Sequence, residues 1–184
     1  MRIAIDISQI VHEGTGVAHY VQRMVEELIK RDKDNEYILF GASLRKRHIF
    51  AEYFKNIKYL SSRVKLVVTP IPPTLLDFLW NRLHLIPIEW FIGEVDVFWS
   101  SDWTQPPLKY ARGITTIHDL TVLRYPESFA GGLRNIVMVQ RRRLKQAQQE
   151  CQAFFVDSEA TRKDAMELLR IDPKRLFVVY PGYP

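Results

Sequence analysis

Cysteine is nearly missing. Cys151 is the only one in 184 residues, which excludes a disulfide framework and any zinc or iron–sulfur centre built from several thiolates. A reduced, cytosolic setting fits that scarcity. Long apolar runs are missing too. No stretch approaches the roughly 18 apolar residues that a membrane-spanning helix needs. Asp6 breaks the first apolar stretch, so a secretory leader is not expected. No Asn-x-Ser/Thr acceptor occurs, and no Gly-Lys pair, which excludes a P-loop. His12-Glu13 lacks a second histidine four residues on, and there is no Gly-x-Ser-x-Gly turn. The zinc-protease and serine-hydrolase motifs are therefore both absent.

An excess of one charge is present but small: 26 Lys+Arg against 21 Asp+Glu, a net +5. That balance is compatible with anionic small molecules, a membrane surface or nucleic acid, and selects none of them. No continuous basic stripe or recognised motif supports nucleic acid. With 47% hydrophobic and 26% charged residues the composition is that of an ordinary globular domain. A chain of this length buries about 70% of its unfolded surface, enough for one core.

Strand and helix patterns alternate along the whole chain. Arg2 to Ile7 is a β-branched strand, followed by a loop with Gly14 and Gly16. Val17, Tyr20, Val21, Met24, Val25 and Leu28 then recur at helical spacing. Tyr37 to Phe40, Val64 to Thr69, Asp96 to Ser100, Ile114 to Ile117, Ala153 to Val156 and Leu176 to Tyr180 read as further strands. Leu44 to Leu60, Thr74 to Leu85, a long segment from Gly132 to about Gln152, and one from Ser158 to about Arg170 read as helices. Short apolar strands separated by helices predict an open α/β, Rossmann-like parallel sheet with helices on both faces. Residues 1–180 form this domain, and 181–184 read as the start of a linker.

In such sheets ligands bind beyond the carboxyl ends of the strands. That edge receives Ser8, the Gly14-Thr15-Gly16 turn, the loop with Asp102 and Trp103, and His118-Asp119. Glycines before a helix let backbone N–H groups approach a phosphate at the positive helix end. The dinucleotide fingerprint is incomplete, since position 19 is His19 and no acidic residue ends the second strand. Asp32-Lys33-Asp34 falls on the opposite edge and reads as a solvated turn. Asp119 is placed to orient the His118 ring or to cap its loop. Arg141, Arg142 and Arg143 point about 100° apart and read as a solvated helix. Arg45, Lys46, Arg47, Lys55, Lys58 and Arg63, interleaved with Phe50, Tyr53 and Phe54, read as a basic amphipathic helix suited to an anionic membrane. Trp80, Trp90 and Trp99 are expected in the core, and Trp103 in a ligand-edge loop.

Five segments together resemble a known family. They are Gly14-Thr15-Gly16, Thr116-Ile117-His118-Asp119-Leu120, Tyr125-Pro126-Glu127, Val156-Asp157-Ser158-Glu159 and Leu176-Phe177-Val178-Val179-Tyr180-Pro181-Gly182. In this order they resemble the N-terminal domain of retaining, family-4 (group 1) glycosyltransferases of GT-B fold, over essentially the whole chain. Pro181-Gly182 stands where that family usually has Asn-Gly. The resemblance implies a hexosyltransferase of two domains, with the nucleotide-sugar held mainly by a C-terminal domain beyond this chain. It implies that Gly14 and Gly16 face the donor diphosphate and that His118 lies near the transferred sugar as the catalytic residue. Ser8, Asp102, Trp103, Asp119 and Arg124 become acceptor-side candidates for a glycan or lipid-linked acceptor. No metal and no cofactor beyond the donor is implied. This chain alone is expected to be inactive, cytoplasmic, and in contact with the membrane periphery at most. The competing expectation is a noncatalytic Rossmann-like binding or interaction module.

Overall fold

A computed structural model describes residues 1–129 and 136–182. Its strands are β1 (Arg2–Asp6), β2 (Glu36–Ala42), β3 (Val64–Thr69), β4 (Val97–Ser100), β5 (Arg112–Ile117), β6 (Cys151–Val156) and β7 (Leu176–Val178). They form one sheet in the order β3-β2-β1-β4-β5-β6-β7, and every pairing is parallel. This is the α/β, Rossmann-like sheet the sequence predicts.

Alternation along the strands builds two faces, because successive side chains point to opposite sides. Ile5, Tyr37 and Leu39 pack on one side with Val25 and Ile29 of α1 (Gly16–Arg31) and Phe50, Tyr53 and Ile57 of α2 (Arg47–Ile57). Ala4, Ile38, Phe40 and Phe98 pack on the other with Leu76 of α3 (Pro73–Leu76) and Ile92 of α4 (Glu89–Ile92). A third cluster joins β5 and β6 to Leu144 and Ala147 of α6 (Ile136–Glu150) and Ala165 of α7 (Glu159–Leu169). The single-turn α5 (Thr121–Arg124) follows β5 and precedes α6. The expected start of the long helix at Gly132 lies outside the described residues, as do Tyr183 and Pro184 of the expected linker.

Three expectations change. The membrane-helix pattern at Arg45 to Arg63 loses its aromatic half, because Phe50 and Tyr53 are buried in the core and Phe54 packs against it. Lys46 Nζ is also engaged, donating to the Val11 carbonyl at 2.9 Å. Trp90 is 72% exposed on α4, whereas Trp80 and Trp99 are buried. The helix expected from Thr74 to Leu85 stays α-helical only to Leu76 and continues as a π-helical stretch, Asp77–Arg82. The wider turn buries the adjacent Trp80 and Asn81 together.

After the π stretch, His84 and Ile86 hold left-handed backbone at φ 54° and 67°, a conformation that costs energy outside glycine. A histidine clamp holds this turn. His84 Nδ1 donates to the Trp80 carbonyl at 3.0 Å and Nε2 to Glu150 Oε1 at 2.7 Å. Both partners are acceptors, so both ring nitrogens carry protons. Burial opposes that charge, but the Glu150 hydrogen bond, the Trp80 carbonyl and the Glu150 charge together raise the pKa above 6.5. A pKa raised on folding adds stability that is complete below 6.5 and lost as pH climbs through the folded value. Urea unfolding across this range is expected to show stability falling on the alkaline side. His84→Gln should flatten that slope, and an unchanged slope would remove the clamp from the account.

Candidate active site at the switch point of the sheet

The strand order reverses between β1 and β4, and their loops diverge there to leave a crevice. The loop leaving β1 turns at once. Ser8 N–H donates to Asp6 Oδ1 at 2.8 Å, and Ser8 Oγ accepts from Ala42 N–H at 3.0 Å. A 3-10 turn, Ser8–Val11, follows. Gly14 then takes φ +78°, a conformation that favours glycine. Thr15 caps α1 by accepting from Ala18 N–H at 3.2 Å, and His19 N–H goes to the Thr15 carbonyl. The first N–H groups of α1, those of Gly16 and Val17, stand at the positive end of the helix. Among the described residues, nothing beyond its chain neighbours and its own helix lies within 4 Å of where a Gly16 side chain would stand.

Two pockets flank the Asp102-Trp103 loop after β4. One, of about 400 Å³, is lined by Trp103, His118, Asp119, Gln140 and Arg143. The other, of about 370 Å³, is lined by Ser8, His12, Thr15, Pro73 and Leu76. Val17, Asp102 and Trp103 line both. The loop itself is fastened from outside: Gln140 Nε2 donates to the Asp102 carbonyl and Asn81 Nδ2 to the Trp103 carbonyl, both at 3.0 Å.

β5 delivers His118 to this crevice. Its Nδ1 donates to Asp157 Oδ2 at 2.7 Å, and its ring meets Tyr20 edge-on at 4.8 Å between centroids. A carboxylate on Nδ1 fixes the tautomer and leaves Nε2 for the cleft. The neighbouring Asp119 does not orient the ring; it caps the loop by accepting from Thr121 N–H at 2.8 Å. The His118 carbonyl already accepts from Thr161 Oγ1 at 3.1 Å.

Residues 14–184 match the model of Glycosyltransferase Family 4. The chain belongs to glycosyltransferase family 4. No curated protein matches it. As a glycosyltransferase-type domain it works on a sugar donor and an acceptor. Among the described residues, no helix is long and apolar enough to cross a membrane.

Within this family-4 domain the site candidates are not all gathered. Ser8, Gly14, Gly16, Asp102, Trp103, His118 and Asp119 share the carboxyl edge of the sheet. Arg124 turns away from the pockets and ties α5 to α7 through ion pairs with Asp164 and with Glu167, the latter at 2.8 Å. Arg143, read from the sequence as solvated, is 1% exposed. One of its terminal nitrogens donates to the Ser101 carbonyl at 2.9 Å, to Thr115 Oγ1 and to the Thr116 carbonyl at 3.2 Å. Burial lowers its pKa, and the charge of Asp102 works against that. Asp157 was visible only as part of a motif. Its reach to His118 depends on β5 and β6 being neighbours, which spacing alone does not reveal.

Proposed function

We propose that this domain is the acceptor side of a retaining, GT-B glycosyltransferase. It would move a hexose from a nucleotide-sugar to a glycan or lipid-linked acceptor. The observation that carries the reading is His118, locked by Asp157 and presented between Asp102-Trp103 and the start of α1. In that reaction the acceptor hydroxyl attacks the anomeric carbon on the face the diphosphate leaves. His118 Nε2 accepts a hydrogen bond from the hydroxyl and orients it. The start of α1, with Gly14 and Gly16, faces the departing diphosphate and offsets its charge. No metal and no further cofactor enters this reading. Trp103 offers an apolar face to a sugar ring.

The donor side belongs to a second domain in this proposal, and the enzyme works in the cytoplasm. A lipid-linked acceptor would bring it to an anionic surface. Arg45 and Arg47 are exposed next to the β2 end of the same edge, which supports a peripheral contact. The test is turnover with a panel of nucleotide-sugars and acceptors. This chain alone is expected to transfer almost nothing, and transfer should appear when a donor-binding domain is supplied. Robust transfer by the chain alone would overturn the two-domain reading. Failure with every donor domain would favour a binding module.

A further inference from the structure

Beneath the two pockets lies a small recess of about 20 Å³ at the switch point, reached by Asp6, Tyr20, Trp99, Asp102, Thr116 and His118. Three of these side chains bring a buried oxygen with no hydrogen-bond partner among the described residues: Asp6 Oδ2, Tyr20 Oη and Asp102 Oδ1. They come from β1, α1 and the loop after β4, so the fold, rather than a local turn, brings them to one recess. Asp6 is 3% exposed. A buried polar atom without a partner is costly, and a site of at least about 10–15 Å³ with two to four polar partners holds one water. Volume and polar partners match here.

We propose that one ordered water bridges Asp6, Tyr20 and Asp102, and that Asp6 acts through it as a positioning residue for the Asp102 carboxylate. The second half rests on the reading of Asp102 as an acceptor-side group. The Tyr20 hydroxyl donates to the water, and the water donates to Asp102. Asp6 completes the three-partner site, and at acid pH its own proton points at the water. The charges facing the site agree with this order. Asp6 is pushed up to about 6, first by burial and also by the Asp102 charge, against the lowering influence of Ser8, whose N–H donates to Asp6 Oδ1, and of the nearby Ser101 hydroxyl. Arg143 faces Asp102 from α6, His118 lines the recess just past β5, and Tyr20 is raised by burial, lowered by the Thr116 side chain on β5 and raised by Asp157 just past β6. Burial thus raises the proton affinity of Asp6 beside the Asp102 side chain.

A high-resolution crystal structure of this chain, with carboxyl ¹³C NMR titrations of the same chain, tests both parts without any substrate. Expected are one density peak at hydrogen-bond distance from the three oxygens, Asp6 titrating near pH 6, and the Asp102 signal moving at that same pH. Tyr20→Phe should remove the peak or raise its disorder and alter the Asp102 response, in a folded protein. Asp6→Asn should abolish the Asp102 inflection. A recess without density, a peak with the short coordination distances of a monovalent cation, or an Asp102 signal indifferent to Asp6 would each overturn the proposal. In an active two-domain enzyme, Asp6→Asn should also move the acid limb of the kcat profile while KM for the donor stays put. If the water and the titration coupling are found but no acceptor ever binds, the acceptor reading has failed and the bridged site stands.

Discussion

His118→Ala is expected to lower sugar transfer by about 10²–10⁴-fold in an active two-domain enzyme, the usual contribution of a group that orients or exchanges a reacting proton. The substitution is not silent for stability. Asp157 Oδ2 loses its donor, and Asp157 Oδ1 is already buried without one. A stranded carboxylate of this kind costs about 1–3 kcal/mol. Alanine alone therefore does not separate chemistry from packing. Asp157→Asn separates them. It keeps the shape of the side chain and removes the charge that fixes the proton on Nδ1, so Nε2 no longer presents its lone pair to the cleft. A loss on the order of 10²-fold is expected, with donor binding and melting temperature little changed. Full activity in Asp157→Asn, together with a destabilised His118→Ala, would make His118 a structural residue.

Arg143→Ala is expected to be the most destabilising single change near the site. It deletes the donor to the Ser101 and Thr116 carbonyls and to Thr115 Oγ1, leaves a cavity, and removes the positive charge facing Asp102. Stranding such buried acceptors costs about 2–4 kcal/mol in total. At roughly 2–4 °C per kcal/mol for a domain of this size, the melting temperature should drop on the order of 10 °C. Arg143→Lys should lie between the two proteins, because an ammonium cannot reproduce the planar fork. The Ser101 anchor holds the loop that carries Asp102, so acceptor affinity should fall in both variants. A drop of only a degree or two in Arg143→Ala would show that the arginine is not the tie between α6 and the cleft.

Sheet and cleft edge are readable from the sequence because they depend on local signals. Period-two and period-3.6 patterns mark the strands and α1, and the rule for parallel sheets then puts Ser8, Asp102 and His118 on one edge. Arg143 shows the limit of that reading. Three consecutive arginines look solvated, and only packing reveals that the third, one turn before Ala147 on the core-facing side of α6, is swallowed by the sheet. The same limit applies to Phe50 and Tyr53. Their spacing fits a membrane-facing stripe as well as a core-facing one, and the sheet supplies the partner. Arg124 follows the expected loop, but Asp164 and Glu167 on α7 offer it two carboxylates that chain spacing does not bring into view. The Asp157–His118 pair likewise follows from strand adjacency and not from either motif alone.

Amide chemical-shift mapping of the ¹⁵N-labelled chain against glycan and lipid-linked sugar acceptors tests the central claim most directly, because it asks where an acceptor sits without requiring turnover. The account predicts shifts that cluster at residues 8–17, 102–103 and 118–121, on the carboxyl edge, and that weaken in Arg143→Lys. The opposite edge carries its own cleft of about 490 Å³, lined by Arg2, Asp96, Tyr110 and Arg112. Shifts confined to that amino-edge cleft, or a carboxyl edge that stays unmoved by every acceptor, would contradict it.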